Sequence, residues 1–475
     1  MSKSVPKFSR ATLVDAANQY SQRASTQSIS GWGKYPVESC EVYRPEALAD
    51  LQEIVSRAPE RDLIARGLGR SYGDAALNRD SGVVLSQQFD RMLGFDPDTG
   101  VLHCQSAVSL AEIIELFVPR GFFFPVTPGT KFISIGGAIA SDVHGKNHHA
   151  NGSMGEFIID FRLLTASGAI LECSREQNTD VFWATIGGMG LTGILLDARV
   201  RLQRIETAYM NVQNERAANL DIALERFFET DDEFAYAVAW IDCLAKGRSL
   251  GRSVLMRANH ARVDELPPAL RATPCKFEEG FKPTVPFTFP NFALNPFSMK
   301  LFNSFFNAIH PNSESVVGCD NYFYVLDRVQ HWNRVYGRRG VVQYQIALPP
   351  ESSRAALIQI LEKLTEANRG SFLAVLKTFG PASQGLLSFP MKGFTLALDL
   401  PFTGQDLIAE LQEIDAIVAE AGGRIYLAKD ACMSSEVFAQ MYPNLDRFRE
   451  IKASIDPEQR FASSQARRLG IVEPR

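Results

Sequence analysis

Residues 127–155 read TPGTKFISIGGAIASDVHGKNHHANGSMG, a run holding a Gly-Gly pair, a short apolar stretch, two lysines and three of the chain's seven histidines. Three chemistries compete for such a stretch: a metal site, a cradle for phosphate, or a wall pressed against a cofactor. The metal reading rests on His144, His148 and His149. Their i, i+4, i+5 spacing gathers ligands only on a helix, and Gly145 and Gly152 argue for a loop. The cofactor reading uses more of the residues. Gly129, Gly136 and Gly137 let backbone approach a flat ring, and Ala138, Ala140 and Ser141 leave room for it. No metal is expected.

Upstream, ARGLGRSYGDAAL (65–77) follows an apolar strand-like run and places Gly67, Gly69 and Gly73 where positive φ can turn successive N–H groups toward one anion. Arg66 or Arg70 adds charge. By itself such a Gly-rich segment is more often only a turn. Downstream, Gly188-x-Gly190-x-x-Gly193 matches the dinucleotide fingerprint in spelling, but that fingerprint needs a strand before it and a helix after it. Here helix-like DVFWATI precedes and an alternating strand follows, which argues against a Rossmann NAD site and leaves the reading of a Gly-rich turn that lets backbone approach a nucleotide.

Residues 37–203 alternate short β-like runs with Gly-rich turns, and SLAEIIELFVPRG is a helix capped by Ser109 and closed by Gly121. In GILLDARVRLQRI, Ile194, Leu196, Ala198, Val200 and Leu202 fall on one strand face; Asp197, Arg199, Arg201 and Gln203 fall on the other. After about residue 206 the units lengthen, with strands in EFAYAVAWID, SFLAVLKTF and TLALDLPF and helices in ESSRAALIQILEKLTEAN and GQDLIAELQEIDAIVAEAGG. Leu407, Ile408, Leu411, Ile414, Ile417 and Val418 recur at helical spacing, so the last helix should lie on an antiparallel sheet. The fold class expected is α+β. Residues 271–325 stand apart, with nine phenylalanines from Phe277 to Phe306 and five prolines from Pro283 to Pro311. They read equally as a core-plugging loop or a mobile apolar lid.

Composition closes off other classes. A chain of 475 residues, 45% hydrophobic and 22% charged, can bury large cores in two or three domains. The net charge of −5 and the lack of a polybasic run exclude a nucleic-acid footprint. The N-terminal residues lack the apolar core of a signal peptide, and no apolar run reaches spanning length, so a cytoplasmic protein is expected. Seven scattered cysteines without a C-x-x-C read as buried hydrophobes.

Two Gly-rich loops separated by one amphipathic helix and followed by IGGMGLTG resemble the flavoproteins of the vanillyl-alcohol-oxidase type, in which FAD lies extended across two small α+β subdomains. SGWGKYP, RGLGRSYGDAALN, VTPGTKFISIGGAIASDVHGKNHH, HWNRVYG, YLAKD and MYPNLDRF, spread over residues 30–468, carry the likeness to the branch that oxidises a polyprenyl-phosphoryl ribose. The resemblance implies an FAD-binding domain over 1–206, a substrate domain on an antiparallel sheet over 207–423, and a C-terminal segment, 424–475, that returns to the first domain. It assigns Ala65, Arg66, Gly67, Leu68, Gly69, Arg70, Ser71, Tyr72, Gly73, Asp74 and Ala75 to the FAD pyrophosphate loop. Gly129, Ser134, Ile135, Gly136, Gly137, Ser141, Asp142, Val143 and His144 would follow the rest of FAD, with Ile194 and Tyr426 completing the pocket. Many relatives tether the flavin through the histidine of a G-H-S pattern. Here Arg70 precedes Ser71, so FAD should be held non-covalently.

On the substrate side the resemblance carries over Tyr72, His144, Lys146, Trp240, Gln345, Lys377 and Lys429. Where the branch has a cysteine facing the flavin, this chain has Ala397, so capture by thiol-reactive inhibitors should be lost. The implied reaction is oxidation of the ribose 2′-hydroxyl of a polyprenyl-phosphoryl-β-D-ribose to the 2′-keto sugar. A separate NAD(P)H-dependent reductase would complete the epimerisation to an arabinose donor. Lys429 and His144 are the groups that would orient the alcohol and handle its proton. Lys429 lies in IYLAKDA, read as an alternating strand that needs a local bend for Tyr426 and Lys429 both to face the pocket. A lipid substrate also implies peripheral contact with the inner membrane face. Two other readings stand beside this one: an FAD oxidase of a free sugar, alditol or aldonolactone, and an FAD-stabilised binding protein without turnover.

Overall fold

A computed structural model describes residues 24–57, 62–230, 232–280, 282–291, 294–371 and 373–473. The first sheet has four strands in the order β1-β2-β4-β3: β1 (Ser25–Ser30), β2 (Val37–Tyr43), β3 (Leu63–Arg66) and β4 (Gly82–Leu85). β4 runs parallel to both β2 and β3. The helix Leu48–Arg57 makes the crossover, laying Leu51, Ile54 and Val55 against Leu63 and Val84.

The second sheet is antiparallel. It holds β5 (Met92–Asp96) and β6 (Val101–Gln105); beyond the short β7 (Phe122–Phe123) come β8 (Ile158–Leu164), β9 (Ile170–Ser174) and β10 (Ile194–Arg201), in the order β5-β6-β10-β8-β9. β7 pairs separately with β11 (Gln203–Arg204). The helix Leu110–Phe117 opens on a reciprocal cap between Ser109 and Glu112, and the chain turns at Gly121 with φ 79°.

β10 corrects the expected alternation. Its register against β8 slips between Leu195 and Asp197, and a slip of one residue moves side chains to the opposite face. Ile194 and Leu196 therefore join a small cluster with Phe89, Ala107 and Leu164, while Ala198 and Val200 face the main core. Asp197, expected outside, is buried and accepts hydrogen bonds from Arg162 Nε at 2.9 Å and His103 Nε2 at 3.1 Å.

The third sheet has eight antiparallel strands: β12 (Tyr209–Ala217), β13 (Tyr236–Ile241), β14 (Ser253–His260), β15 (Ser313–Gly318), β16 (Val341–Leu348), β17 (Ala374–Phe379), β18 (Gly393–Pro401) and β19 (Arg424–Ile425). Their order is β15-β12-β14-β13-β17-β18-β16-β19. The helices Pro350–Glu366 and Gln405–Glu420 cover one face, burying Leu357, Ile360, Leu361, Leu407, Leu411 and Ile414. After β19 the chain runs back to the first sheet, where Phe461 bridges Leu63 and Arg467 pairs with Asp62 at 2.9 Å.

Neither reading of residues 271–325 holds for the whole segment. Tyr322, Phe323 and Tyr324 are core, but Pro296–Ile309 is a helix whose Phe297, Leu301 and Phe305 stay exposed. The prolines permit it because Pro296 occupies the first helical position, where a missing N–H costs nothing, behind the Asn295 cap.

Candidate active site

Strand register builds one wall of the site. Trp240 pairs with Val375, Val375 with Ala397 and Ala397 with Gln345, one row across four strands. The adjoining rows set Lys377 opposite Thr395 and Gln343 opposite Asp399. Side chains alternate along a strand, so these residues share the face away from the two covering helices. The intervening Leu376, Leu396, Leu398 and Ile346 are buried on the helix side.

The 127–155 loop forms the opposing wall. Gln345 Nε2 donates to His144 Nε2 at 2.9 Å, and the imidazole packs edge-on to Phe379 at 4.8 Å. That bond makes Nε2 an acceptor and leaves the ring proton on Nδ1, which is buried and has no protein partner. Burial, and then the Lys377 charge, depress the His144 pKa well below the usual imidazole value, so the ring is neutral. His148 Nδ1 instead accepts from the Gly380 N–H at 3.1 Å, and His149 Nε2 donates to the Phe234 carbonyl at 2.8 Å. Three imidazoles with three separate partners do not converge. Among the described residues no group of three metal-ligating side chains gathers. Where a loop was expected, His148–Asn151 makes a single helical turn, ended by Gly152 at φ 74°.

Lys429 corrects a second expectation. It lies in a turn, not a strand: its N–H and that of Asp430 both donate to the Tyr426 carbonyl, at 2.9 and 3.0 Å. The turn lets Tyr426 donate to the Ser141 carbonyl at 2.9 Å while Lys429 Nζ sits 4.2 Å from the Tyr72 ring centroid. The Arg468 guanidinium holds the turn to the Gly-rich loop, pairing with Asp430 at 2.8 Å and Asp74 at 2.7 Å. Tyr72 N–H donates to the Ala428 carbonyl at 3.0 Å, and Gly73 abuts the Asp430 carbonyl so closely that any Cβ would collide.

Three lysines face this space. Burial lowers Lys146 and Lys377 to about 7, with repulsion from Lys377 adding to the first and from Lys429 to the second. Lys146 Nζ also donates to the Tyr322 carbonyl at 2.5 Å. Burial lowers Lys429 too, while the Asp399 carboxylate pulls it back up. Asp399 was not among the sequence candidates. It is fully buried, its pKa is raised by burial, and it accepts from Gln343 Nε2 at 2.5 Å and from the Tyr336 hydroxyl at 3.4 Å. Alternation from Ala397 was the available signal, since it sets residue 399 on the same face.

The Gly-rich loops fit FAD. Among the described residues, the N–H groups of Leu68, Gly69, Arg70 and Ser71 meet no protein acceptor, although their residues are half-buried. Four free donors in succession are what an anion nest offers. Space beside Gly129 is open, and a Cβ on Gly136 would sit 3.0 Å from Ser106 Cβ. Ser134 Oγ accepts from the Gly137 N–H at 3.3 Å, starting the short helix Ile135–Ala140. The arginines do other work: Arg66 donates to the Ser30 carbonyl at 2.7 Å and braces the loop, and Arg70 lies 4.0 Å over the Trp32 ring. Asp142 likewise holds loops together, accepting from Ser153 at 2.8 Å, Ser388 at 2.7 Å and the Gly155 N–H at 2.9 Å. Ile194 is packed in the small cluster, and the Trp240 indole N–H is buried without a protein acceptor.

A two-sheet α+β unit with free N–H groups in a Gly-rich loop, set against a sheet face carrying lysine, imidazole and amide groups, defines an FAD-dependent oxidoreductase. An FAD binding domain model matches residues 41–174, and a D-arabinono-1,4-lactone oxidase model matches residues 409–469. Decaprenylphosphoryl-β-D-ribose oxidase of Mycolicibacterium smegmatis is 36% identical over 456 residues, 94% of this chain and 98% of that protein. The chain therefore belongs to the decaprenylphosphoryl-β-D-ribose oxidase family. An uncharacterised Streptomyces coelicolor protein is 35% identical over 77% of this chain and all of its own length. L-gulono-1,4-lactone dehydrogenase of Mycobacterium tuberculosis is 20% identical over 92% of this chain and 98% of its own. Among the described residues no helix is long and apolar enough to cross a membrane.

Proposed function

We propose that the chain oxidises the 2′-hydroxyl of a polyprenyl-phosphoryl-β-D-ribose to the 2′-keto sugar, using FAD held without a covalent bond. Residues 1–206 and 424–475 hold the cofactor, and 207–423 hold the substrate. The observation that carries this reading is the meeting of Lys146, Lys377 and Lys429 with His144 and Gln345 in one pocket beside the Gly-rich cradle. FAD, when bound in this cradle, would supply the two-electron oxidation as the acceptor of the carbinol hydride.

The chain's own residues do the rest. Lys146 and Lys377 offer ammonium groups to a phosphate that carries negative charge throughout the neutral range. Gln345 fixes the His144 tautomer so that Nδ1–H points a donor at the sugar. Lys429, with its ammonium destabilised by burial and steadied by Asp399, orients the 2′-hydroxyl and handles its proton. Arg70 stands where a tethering histidine would be, and its cation is engaged with Trp32. The keto product is reactive, which fits hand-over to an NAD(P)H-dependent reductase, and the lipid tail fits work at the inner face of a membrane.

The aldonolactone reading draws on the lactone-oxidase match at residues 409–469. A neutral lactone, however, gives Lys146 and Lys377 no anion to bind. Anaerobic mixing separates the two readings. A polyprenyl-phosphoryl ribose should bleach the flavin, whereas L-gulono- and D-arabinono-lactone should not; the reverse result would overturn the proposal.

A further inference from the structure

The helix Pro296–Ile309 carries a feature that the oxidation itself does not use. Phe297, Leu301, Phe305 and Ile309 are 78%, 64%, 58% and 51% exposed, which is far from the burial such side chains usually find. They recur every fourth residue, so they form one stripe roughly 120° wide along a rod about 21 Å long. Phe287, 62% exposed, belongs to the irregular segment just before the helix.

The opposite face of the helix is fixed to the substrate domain. Met299 and Asn303 are buried, Asn303 Nδ2 donates to Asp242 Oδ1 at 2.7 Å, and the Phe306 ring centroid lies 4.6 Å from that of Trp240. One side of the helix thus touches a residue of the proposed substrate wall while the other offers an apolar stripe to the outside. Between Glu279 and Glu314 the sequence has no acidic residue; Lys300 lies on the helix itself, Arg216 donates to the Ala308 and His310 carbonyls at the helix end, and Lys282 is paired with Glu279 at 2.8 Å.

We infer that the helix Pro296–Ile309 docks the protein on an anionic lipid bilayer, its Phe297, Leu301, Phe305 and Ile309 stripe sunk among the acyl chains, so that a polyprenyl tail reaches the Trp240 end of the pocket from the membrane. A helix lying in the interface needs an apolar face flanked by cations, and this one has both. A second protein copy would be a poorer occupant, because the Lys300 and Arg216 charges would face their own equivalents or need acids that the segment lacks. The inference rests on the polyprenyl reading of the substrate.

The test uses the full FAD-loaded chain and its L301E/F305E variant, both exposed positions outside the pocket. Each is sedimented with phosphatidylcholine vesicles made with and without phosphatidylglycerol, at low and high salt. The native chain should co-sediment with the phosphatidylglycerol vesicles, less so at high salt, and the variant's partitioning should fall by at least about tenfold. A soluble short-chain polyprenyl-phosphoryl ribose should reduce the flavin equally fast in both. The inference is overturned if the native chain stays in solution, if the variant binds as well as the native chain, or if sedimentation velocity shows a native dimer that the variant dissolves. If no polyprenyl-phosphoryl ribose bleaches the flavin yet vesicle binding still depends on Leu301 and Phe305, the substrate reading falls and the docking face stands.

Discussion

Lys146 and Lys377 make the proposal answerable by pH. Burial sets both near 7 in the ligand-free protein, and the charge on Lys377 depresses Lys146 further. Their cationic forms prevail below that value and are lost above it. Each is about nine-tenths protonated at pH 6 and about one-tenth at pH 8. A phosphate linked to both lipid and sugar has no titration in this range, so the change belongs to the protein. If either ammonium suffices to hold the phosphate, kcat/KM should fall about fivefold from pH 6 to pH 8; if both are needed, up to about a hundredfold. Lys377→Met adds a second constraint. It removes one ammonium, so kcat/KM drops at pH 6, and it removes a repelling charge from Lys146, so the remaining descending limb shifts to higher pH. Stopped-flow flavin reduction across this range, with a soluble short-chain substrate, reads both effects. A native profile flat to within about threefold, or a Lys377→Met limb at or below the native position, would refute the assignment of these lysines to the phosphate.

Three further outcomes are expected. Lys429→Ala should fold and hold FAD but reduce it on the order of 10²–10³ more slowly with substrate; a single-turnover rate within about threefold of native would move the proton-handling role to His144. Acid or heat should release FAD into solution, and flavin that stays with the precipitated protein would contradict the role given to Arg70. Arg468→Ala leaves the Asp74 and Asp430 carboxylates, 7% and 1% exposed, without their shared cation. Breaking such a buried pair costs about 3–5 kcal/mol, so the melting temperature should fall clearly, and FAD should be lost with it because the two elements that Arg468 ties are the cradle and the Lys429 turn. Unchanged melting would show that the clamp contributes nothing.

What the sequence settles about this protein is what repeats locally. Period-2 and period-3.6 patterns located β13, β17, β18 and the helices Pro350–Glu366 and Gln405–Glu420, the Ser109 and Gly121 signals bounded a helix, and the order helix, Gly-rich turn, strand around residues 180–201 argued against a Rossmann site without any coordinates. The Gly-rich loops were legible for the same reason: glycine marks where backbone must come close, whatever the rest of the fold does. Tertiary structure decided everything that depends on pairing between distant segments. Whether Ile194 and Ala198 share a face depended on a register slip against β8, some thirty residues away in the chain. Lys429 could be placed only by the turn that Asp430 and Arg468 hold, and Arg468 is far along the chain. Asp399 became part of the site because β18 pairs with β16 in the one register that sets it opposite Gln343. The Phe-rich segment shows the limit most plainly: its phenylalanines and prolines read as a plug or a lid, and the helix Pro296–Ile309 within it, with Phe306 against Trp240 and Phe297, Leu301 and Phe305 outside, depends on where the sheet lies, about which a one-dimensional pattern carries no information.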